Sequence, residues 1–269
     1  MRIRLAMGIM ACGFLTAACE GVFDIHPYDV NFSGRTDINT SNAAIIEEKC
    51  KDDDTLRVAF ISDSHGWYSE LSRMVGSLNR TEGLDFVVHT GDLTDCGSTD
   101  EYVWTRDIMA DLKVPYVSII GNHDFLGTGD QTFRRMYGEF DYSFIAGRIK
   151  FVCLNTNATE YDYLAAVPNL DFMEEEAAAD SALFDRTIVC MHARPLCEQF
   201  NNNVAKVFQH YVKNFPGIMF CVNGHDHKLK IEDLYEDGIV YYGLDSAEHR
   251  NYLLFTITKE GYEYEIVHF

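Results

Sequence analysis

Proline and cysteine are sparse in this chain, and neither occurs in a pattern that would dominate the fold. The 269 residues include 5 Pro and 8 Cys, and no tract of low complexity. The low proline content and a hydrophobic fraction of 47% exclude a fibrous or wholly disordered protein. No two cysteines have C-x-x-C spacing, so the sequence offers no thiolate metal site. The length allows one large domain or two small ones.

Basic residues are also scarce. The chain has 22 Lys and Arg against 42 Asp and Glu, which gives a formal net charge of −20 at pH 7. A protein that binds long nucleic acids needs a broad basic surface, because the phosphate backbone dominates that affinity. We therefore expect no long nucleic acid as a partner.

A long hydrophobic run is absent after the N-terminal region. The uncharged run from Leu5 to Ala18 follows Arg2 and Arg4. It is shorter than the roughly 20 apolar residues that span a bilayer. A basic segment followed by a short apolar one is typical of a secretory signal.

The residues at the end of this run resemble the lipobox of bacterial lipoproteins. Ala17 and Ala18 stand directly before Cys19, and Leu15 lies one place upstream of the usual leucine position. The resemblance implies that residues 1–18 are a lipoprotein signal peptide and that Cys19 is lipidated. The protein would then be an exported lipoprotein of the cell envelope, either periplasmic or surface-facing. An ordinary signal peptide with a coincidental cysteine is the alternative.

The mature chain divides into two parts by composition. Residues 19–55 are polar and irregular, so we predict a tether that holds the domain away from the membrane. Residues 56–269 show no linker, and we predict that they form one domain.

Within residues 56–269, apolar runs alternate with amphipathic stretches. The predicted strands are Val58–Ser62, Phe86–Thr90, Tyr116–Ile120, Ile149–Leu154, Thr187–Met191 and Ile218–Val222. The predicted helices are Tyr68–Leu78, Glu101–Leu112, Leu170–Leu183 and Val204–Asn214. Continuous apolar strands separated by helices indicate an α/β fold with strands buried on both faces. Four short strands after residue 228 predict a C-terminal β-meander.

Polar clusters follow five of the predicted strands. They are Asp63-Ser64-His65, Gly91-Asp92-Leu93-Thr94-Asp95, Gly121-Asn122-His123-Asp124, His192 and Gly224-His225-Asp226-His227. Ligands of open α/β sheets bind outside the carboxyl ends of the strands, so all five clusters are expected on one rim. In an extended chain, residues two apart point the same way. Asp63 and His65 would then face one place on the rim, as would His225 and His227. Each cluster alone is better explained by a turn, a surface pair or a buried histidine, and only their combination indicates a site.

The chemistry of these clusters suits metal ions. Imidazole and carboxylate ligands without thiolate favour Zn, Fe, Mn or Ni in a catalytic role. About seven potential ligands are too many for one ion and fit two ions that share a carboxylate. The sequence therefore predicts two divalent metal ions of unknown identity.

The ordered set D-x-H, G-D-x-x-D, G-N-H-D, H and G-H-x-H, between Val58 and His227, resembles the calcineurin-like metallophosphoesterase superfamily. The resemblance implies an α/β fold, a four-layer α/β/β/α sandwich of two mixed β-sheets flanked by helices. It also assigns roles: Asp63, His65 and His227 to the first metal, Asn122, His192 and His225 to the second, Asp92 as the bridge, His123 as general acid and Asp95 to orient it.

The implied activity is hydrolysis of a small phosphomonoester or phosphodiester. A hydroxide that bridges the two metals would attack phosphorus in line, and His123 would protonate the leaving group. Arg194 and Asn155 are candidate substrate contacts, although Asn155 also fits a plain turn. Trp67 and Tyr68 either stack on the substrate or begin a helix. The alternative function is a catalytically silent, membrane-anchored binding lipoprotein with the same fold.

Overall fold

The structure is a computed structural model in which residues 29–161, 165–179 and 182–269 are described. The predicted signal peptide, Cys19 and the first part of the predicted tether lie outside these residues. Among the helices of the described residues, none is long and apolar enough to cross a membrane.

Seven helices and eleven strands occur in the described part of the chain. The helices are α1 (Ile38–Cys50), α2 (Tyr68–Leu78), α3 (Thr99–Met109), α4 (Gly129–Met136), α5 (Ala158–Tyr161), α6 (Leu170–Ala178) and α7 (Ala205–Asn214). The strands are β1 (Leu56–Ile61), β2 (Phe86–His89), β3 (Tyr116–Ser118), β4 (Tyr142–Ala146), β5 (Ile149–Leu154), β6 (Arg186–Met191), β7 (Ile218–Asn223), β8 (Lys230–Glu232), β9 (Tyr241–Gly243), β10 (Asn251–Ile257) and β11 (Tyr262–His268). Short 3-10 turns span His123–Phe125 and Ala247–His249.

The strands form two mixed sheets. One has five strands in the order β11-β10-β1-β2-β3, and the other has six in the order β4-β5-β6-β7-β9-β8. Strands β1, β2 and β3 are parallel, as are β5, β6, β7 and β9, whereas the remaining strands pair antiparallel. Apolar side chains fill the space between the sheets, including Phe60, Phe151 and Phe220. Separate apolar clusters lie on the outer face of each sheet. The predicted four-layer α/β/β/α sandwich is confirmed.

The C-terminal strands are arranged differently from the predicted meander. Strands β8 and β9 form an antiparallel pair beside β7, whereas β10 and β11 pair in the other sheet, with β10 against β1. Strand β4 was not predicted. Apolar alternation identifies a strand, but the choice of partner depends on which sheet edge is open when the sandwich assembles.

The predicted tether was wrong for residues 38–50, which form α1. This helix lies across the open edges of both sheets. The side chain of Asn39 donates to the carbonyl of Ser118 and accepts from its N–H, both at 2.8 Å. Glu47 accepts the N–H of Ile145 on the edge strand β4 at 3.0 Å. Unpaired edge strands invite association, so α1 protects the domain and belongs to it. Most of its polar contacts are hydrogen bonds from side-chain amides to backbone groups. Such contacts leave no apolar periodicity in the sequence, so the helix was not predicted.

The Asn39 contact can be tested by stability. Asn39→Ala leaves the N–H of the fully buried Ser118 without its partner, whereas the Ser118 carbonyl keeps the hydroxyl of Tyr142 at 2.9 Å. One buried backbone group left unpaired costs about 1–3 kcal/mol, so we expect the free energy of unfolding to fall by about that amount in urea denaturation. The exposed neighbour Thr40→Ala is the matched control. Equal stability of the two variants would contradict the proposed edge contact.

Candidate metal centre and active site

The five polar clusters meet at one rim of the sandwich. Asp63, Asp92 and Asn122 follow β1, β2 and β3 of the five-stranded sheet. His192 and His225 follow β6 and β7 of the six-stranded sheet. Because both sheets present the carboxyl ends of parallel strands here, side chains that are far apart in sequence become neighbours.

The residues predicted for the first metal lie close together. One ligand atom from each of Asp63, His65, Asp92 and His227 lies within 4.8 Å of the others. Nε2 of His227 is 3.1 Å from Oδ1 of Asp63 and 3.4 Å from Nε2 of His65. These four side chains could hold one cation between them.

The residues predicted for the second metal surround Asn122. Its Oδ1 is 3.0 Å from Nε2 of His192 and 3.0 Å from Nδ1 of His225. Nε2 of His192 is also 3.3 Å from Oδ2 of Asp92. Asp92 therefore contacts this second group and belongs to the first, as a bridging ligand must.

The backbone brings these ligands together in a way that the sequence did not predict. Asp63, Asp92, His225 and His227 have φ values of 48°, 57°, 73° and 48°. These angles lie in the left-handed region, which strains residues other than glycine by about 1–3 kcal/mol each and is concentrated at functional sites. The side chains converge because of these tight turns, and the predicted alternation of an extended chain was wrong here.

Glycines beside the ligands allow a close approach of the loops. A Cβ atom at Gly121 would lie 2.1 Å from Oδ1 of Asp92, and one at Gly224 would lie 2.7 Å from Oδ2 of Asp63. Neither separation is possible for real atoms. The glycines of G-N-H-D and G-H-x-H are therefore required by close packing, Gly121 against Asp92, and Gly224 against Asp63 and, more tightly, Oγ of Ser62, 2.0 Å from the same Cβ position.

The donor set fits divalent metal ions. Oδ1 of Asp63 is buried and makes no well-aligned hydrogen bond among the described residues, although Nε2 of His227 lies 3.1 Å away. A buried carboxylate oxygen without a donor is costly unless a cation occupies the space that it faces. Carboxylate, imidazole and amide oxygen ligands match Zn, Fe, Mn or Ni.

The electrostatics of the site follow from the buried Asp92–His192 pair. Burial alone would raise the pKa of Asp92, but the charge of His192 holds it well below its usual range. Burial alone would lower the pKa of His192, and the negative charge of Asp92 raises it instead to about 9. Two buried carboxylates, Asp63 and Asp92, thus keep their negative charge at neutral pH. These buried negative charges favour the binding of cations at the rim.

His123 lies beside this group, and Asp95 contacts it through its main chain. Nδ1 of His123 is 2.7 Å from the backbone carbonyl of Asp95, and its ring stacks on His65 with centroids 4.5 Å apart. The carboxylate of Asp95 is largely exposed and lies 3.2 Å from Nδ1 of His65. Asp95 therefore orients His123 through its main chain and His65 through its side chain. Sequence motifs cannot distinguish these two modes.

Asp124 is a buried residue of the site loops for which the sequence predicted no role. Its buried carboxylate accepts the N–H groups of Leu93, Thr94 and Gly121, each at 2.9 Å, and the hydroxyl of Thr94. It therefore ties the loop after β2 to the loop after β3. Its place as the last letter of G-N-H-D was the available signal.

The two candidate substrate contacts have other partners in the structure. Nε of Arg194 is 2.6 Å from Oδ2 of Asp226, which lies between His225 and His227, so Arg194 is beside the rim with its charge paired. The side-chain oxygen of Asn155 accepts from Asn157, and no described contact brings it to the ligands. Asn155 fits the turn that was its alternative interpretation.

A sequence model of the calcineurin-like phosphoesterase family matches residues 56–229. The chain belongs to this family. A 3′,5′-cyclic-nucleotide phosphodiesterase from Nostoc sp. is 26% identical over 199 residues, which cover 64% of this chain and 72% of the relative. A glycerophosphodiester phosphodiesterase from Enterobacter lignolyticus is 26% identical over 202 residues, which cover 63% of this chain and 68% of the relative.

Solved structures share the fold. A dimetal phosphatase from Danio rerio superimposes with a TM-score of 0.60 at 12% identity, over 79% of this chain and 98% of that one. Family membership, the two relatives and the acidic and histidine cluster together support a metal-dependent phosphoesterase.

The role of Asp124 predicts the effect of Asp124→Asn. The amide replaces one acceptor oxygen by a donor that faces backbone N–H groups, so both loops should loosen. We expect metal affinity to fall by about 10- to 100-fold, as it does when other residues that orient metal ligands through hydrogen bonds are mutated. Metal titration measures the loss, and the exposed Asp111→Asn serves as control. Unchanged metal affinity in Asp124→Asn would contradict this positioning role.

Proposed function

We propose that this protein hydrolyses small phosphodiesters with two divalent metal ions and with His123 as general acid. The observation that carries the proposal is the geometry of Asp92, which contacts the second ligand group and completes the first. The names of the two relatives, both phosphodiesterases, favour a diester over a monoester.

Two sets of side chains would hold the metals. Asp63, His65, His227 and Asp92 would hold the first, and Asp92, Asn122, His192 and His225 would hold the second. When bound, two such cations supply Lewis acidity that activates water at neutral pH and neutralises phosphate oxygens. The negative charges of Asp63 and Asp92 would partly neutralise the two cations.

The contacts of His123 suit proton donation. When protonated, its ring donates from Nδ1 to the carbonyl of Asp95 and keeps Nε2–H for the oxygen of the leaving group. After transfer, the neutral ring retains its proton on Nδ1, where the same carbonyl stabilises it. Stacking on His65 restricts rotation of the ring throughout.

The overall charge limits the substrate. A net charge of −20 repels long polyanions, whereas a small phosphoester meets mainly the local field of the rim. The sequence adds a location to this proposal, since lipidation of Cys19 would hold the enzyme on a membrane of the cell envelope.

Metal dependence is the first test. Chelator-treated protein should not hydrolyse bis(p-nitrophenyl) phosphate, and Mn²⁺ or Zn²⁺ should restore activity, with lower turnover on p-nitrophenyl phosphate. Metal content would be measured on the same samples. Absence of hydrolysis with two metals bound would overturn the proposed enzyme and favour the silent binding protein.

His123→Ala tests the general acid. Loss of a positioned proton donor lowers turnover by about 10²–10⁴-fold for a poor leaving group such as an alkoxide. The loss should be much smaller for p-nitrophenolate, which leaves without a proton. Turnover on glycerophosphocholine and on bis(p-nitrophenyl) phosphate measures the difference.

Two comparisons make the His123 test specific. Metal content of His123→Ala should equal that of the unaltered protein, and loss of both metals would refute its assignment. Asp95→Ala keeps the backbone carbonyl that contacts His123, so its turnover should fall less than that of His123→Ala.

A further inference from the structure

The described chain begins at the rim that carries the metal centre. The carbonyl of Asp29 accepts the hydroxyl of Thr99, the first residue of α3, at 2.8 Å. The Thr99 hydroxyl is also 3.1 Å from that of Thr132 in α4. Both helices begin directly after rim loops, α3 after the loop of Asp92 and Asp95 and α4 after the loop of His123. Asp29 therefore lies at the rim end of the domain.

The distance to the site can be bounded from the chain itself. Thr99 is four residues from Asp95, and four Cα–Cα steps span at most about 15 Å. Asp95 contacts both His65 and His123. The chain thus enters the domain beside the proposed active site.

Two arginines hold the entering segment in place. Nη1 of the buried Arg106 donates to the carbonyl of Ser33 at 2.7 Å. The ring of Phe32 lies near the guanidinium groups of Arg106 and Arg135, at 5.8 and 4.8 Å from its centroid. These contacts fix the position at which the N-terminal residues leave the domain.

Only nine residues, 20–28, separate Cys19 from Asp29. Ten residue steps reach at most about 36 Å even in a fully extended chain. A lipid on Cys19 would therefore hold the bilayer within that distance of the rim end of the domain.

Apolar side chains are exposed on three separate loops of the same rim. Trp67, Leu126 and Leu196 are 36%, 38% and 55% exposed. They follow His65, His123 and His192 by two, three and four residues. We call these three residues the apolar lip. We interpret exposed apolar groups on three loops beside one polar site as an interaction surface.

We propose that the apolar lip docks onto the surface of a lipid bilayer and that the metal centre faces that bilayer. The proposal depends on the lipidation of Cys19. The lipid anchor makes docking intramolecular, so that three partly exposed side chains suffice for a stable contact. With a net charge of −20, the protein should dock through these apolar groups and prefer zwitterionic lipids.

The two tryptophans of the chain provide the measurement. Trp67 belongs to the lip, and Trp104 is exposed on α3, with its ring against Tyr68 at a centroid distance of 5.6 Å. The lipidated full chain carrying Trp104→Phe would be reconstituted on phosphatidylcholine vesicles with and without brominated acyl chains. Strong quenching of Trp67 by the brominated lipid supports docking. An anchored protein whose Trp67 is unquenched overturns it.

A matched pair of variants separates the lip from general hydrophobicity. In the Trp104→Phe chain, Leu126→Gln with Leu196→Gln should reduce the quenching of Trp67 by about threefold or more, since apolar area leaves the interface. The control, Ile45→Gln with Val207→Gln, changes exposed residues of α1 and α7 and should leave quenching unchanged. Equal quenching in both pairs overturns the assignment of the lip.

Two further readouts keep this proposal distinct from the others. Intact mass must show lipid on Cys19, and an unmodified mature chain overturns anchored docking. Hydrolysis of soluble bis(p-nitrophenyl) phosphate should be the same in both variant pairs, because neither touches a proposed ligand. Quenched Trp67 in a protein that hydrolyses nothing would support docking and refute the proposed function.

Discussion

The carboxylate of Asp92 contacts every part of the proposed active site. It lies within the first ligand group, 3.3 Å from His192 of the second, and it accepts the N–H of His123 at 2.9 Å. A buried anion in this position requires partners on all sides, because an isolated charge in the interior is very unfavourable. The loop of Gly121 closes around it, and Asp124 ties that loop to its own. Much of the rim is therefore built to hold one carboxylate.

The two-sheet architecture makes such a site possible. Parallel strands from each sheet end at one rim, so the predicted ligands from five loops meet although they span residues 63–227. The core between the sheets keeps the loops in register, and α1 covers the open edges at β3 and β4. The turns at Asp63, Asp92, His225 and His227 keep their strained backbone angles because the packed sheets hold the loops in place. A rigid frame thus supports a locally unfavourable backbone where the chemistry is proposed.

Several features could be predicted from the sequence because they depend on residue type and order. The motifs from Asp63 to His227 identified the family, the fold and the rim. Other features needed coordinates. The carboxylate of Asp95 turns to His65, Arg194 is paired with Asp226, and α1 contacts backbone groups through Asn39 and Asn42. A motif states which side chains are present, but not whether a main-chain or side-chain atom makes the contact.

The sequence by itself determined which candidate ligand types are present and their order along the strands, and it predicted lipid attachment at Cys19. These follow from local chemistry, which each short segment carries with it. Only the tertiary structure decided which groups share Asp92, how the C-terminal strands divide between the sheets, and that the chain enters beside His123 and the apolar lip. These depend on contacts between segments far apart in sequence, and such contacts are chosen by packing of the whole domain.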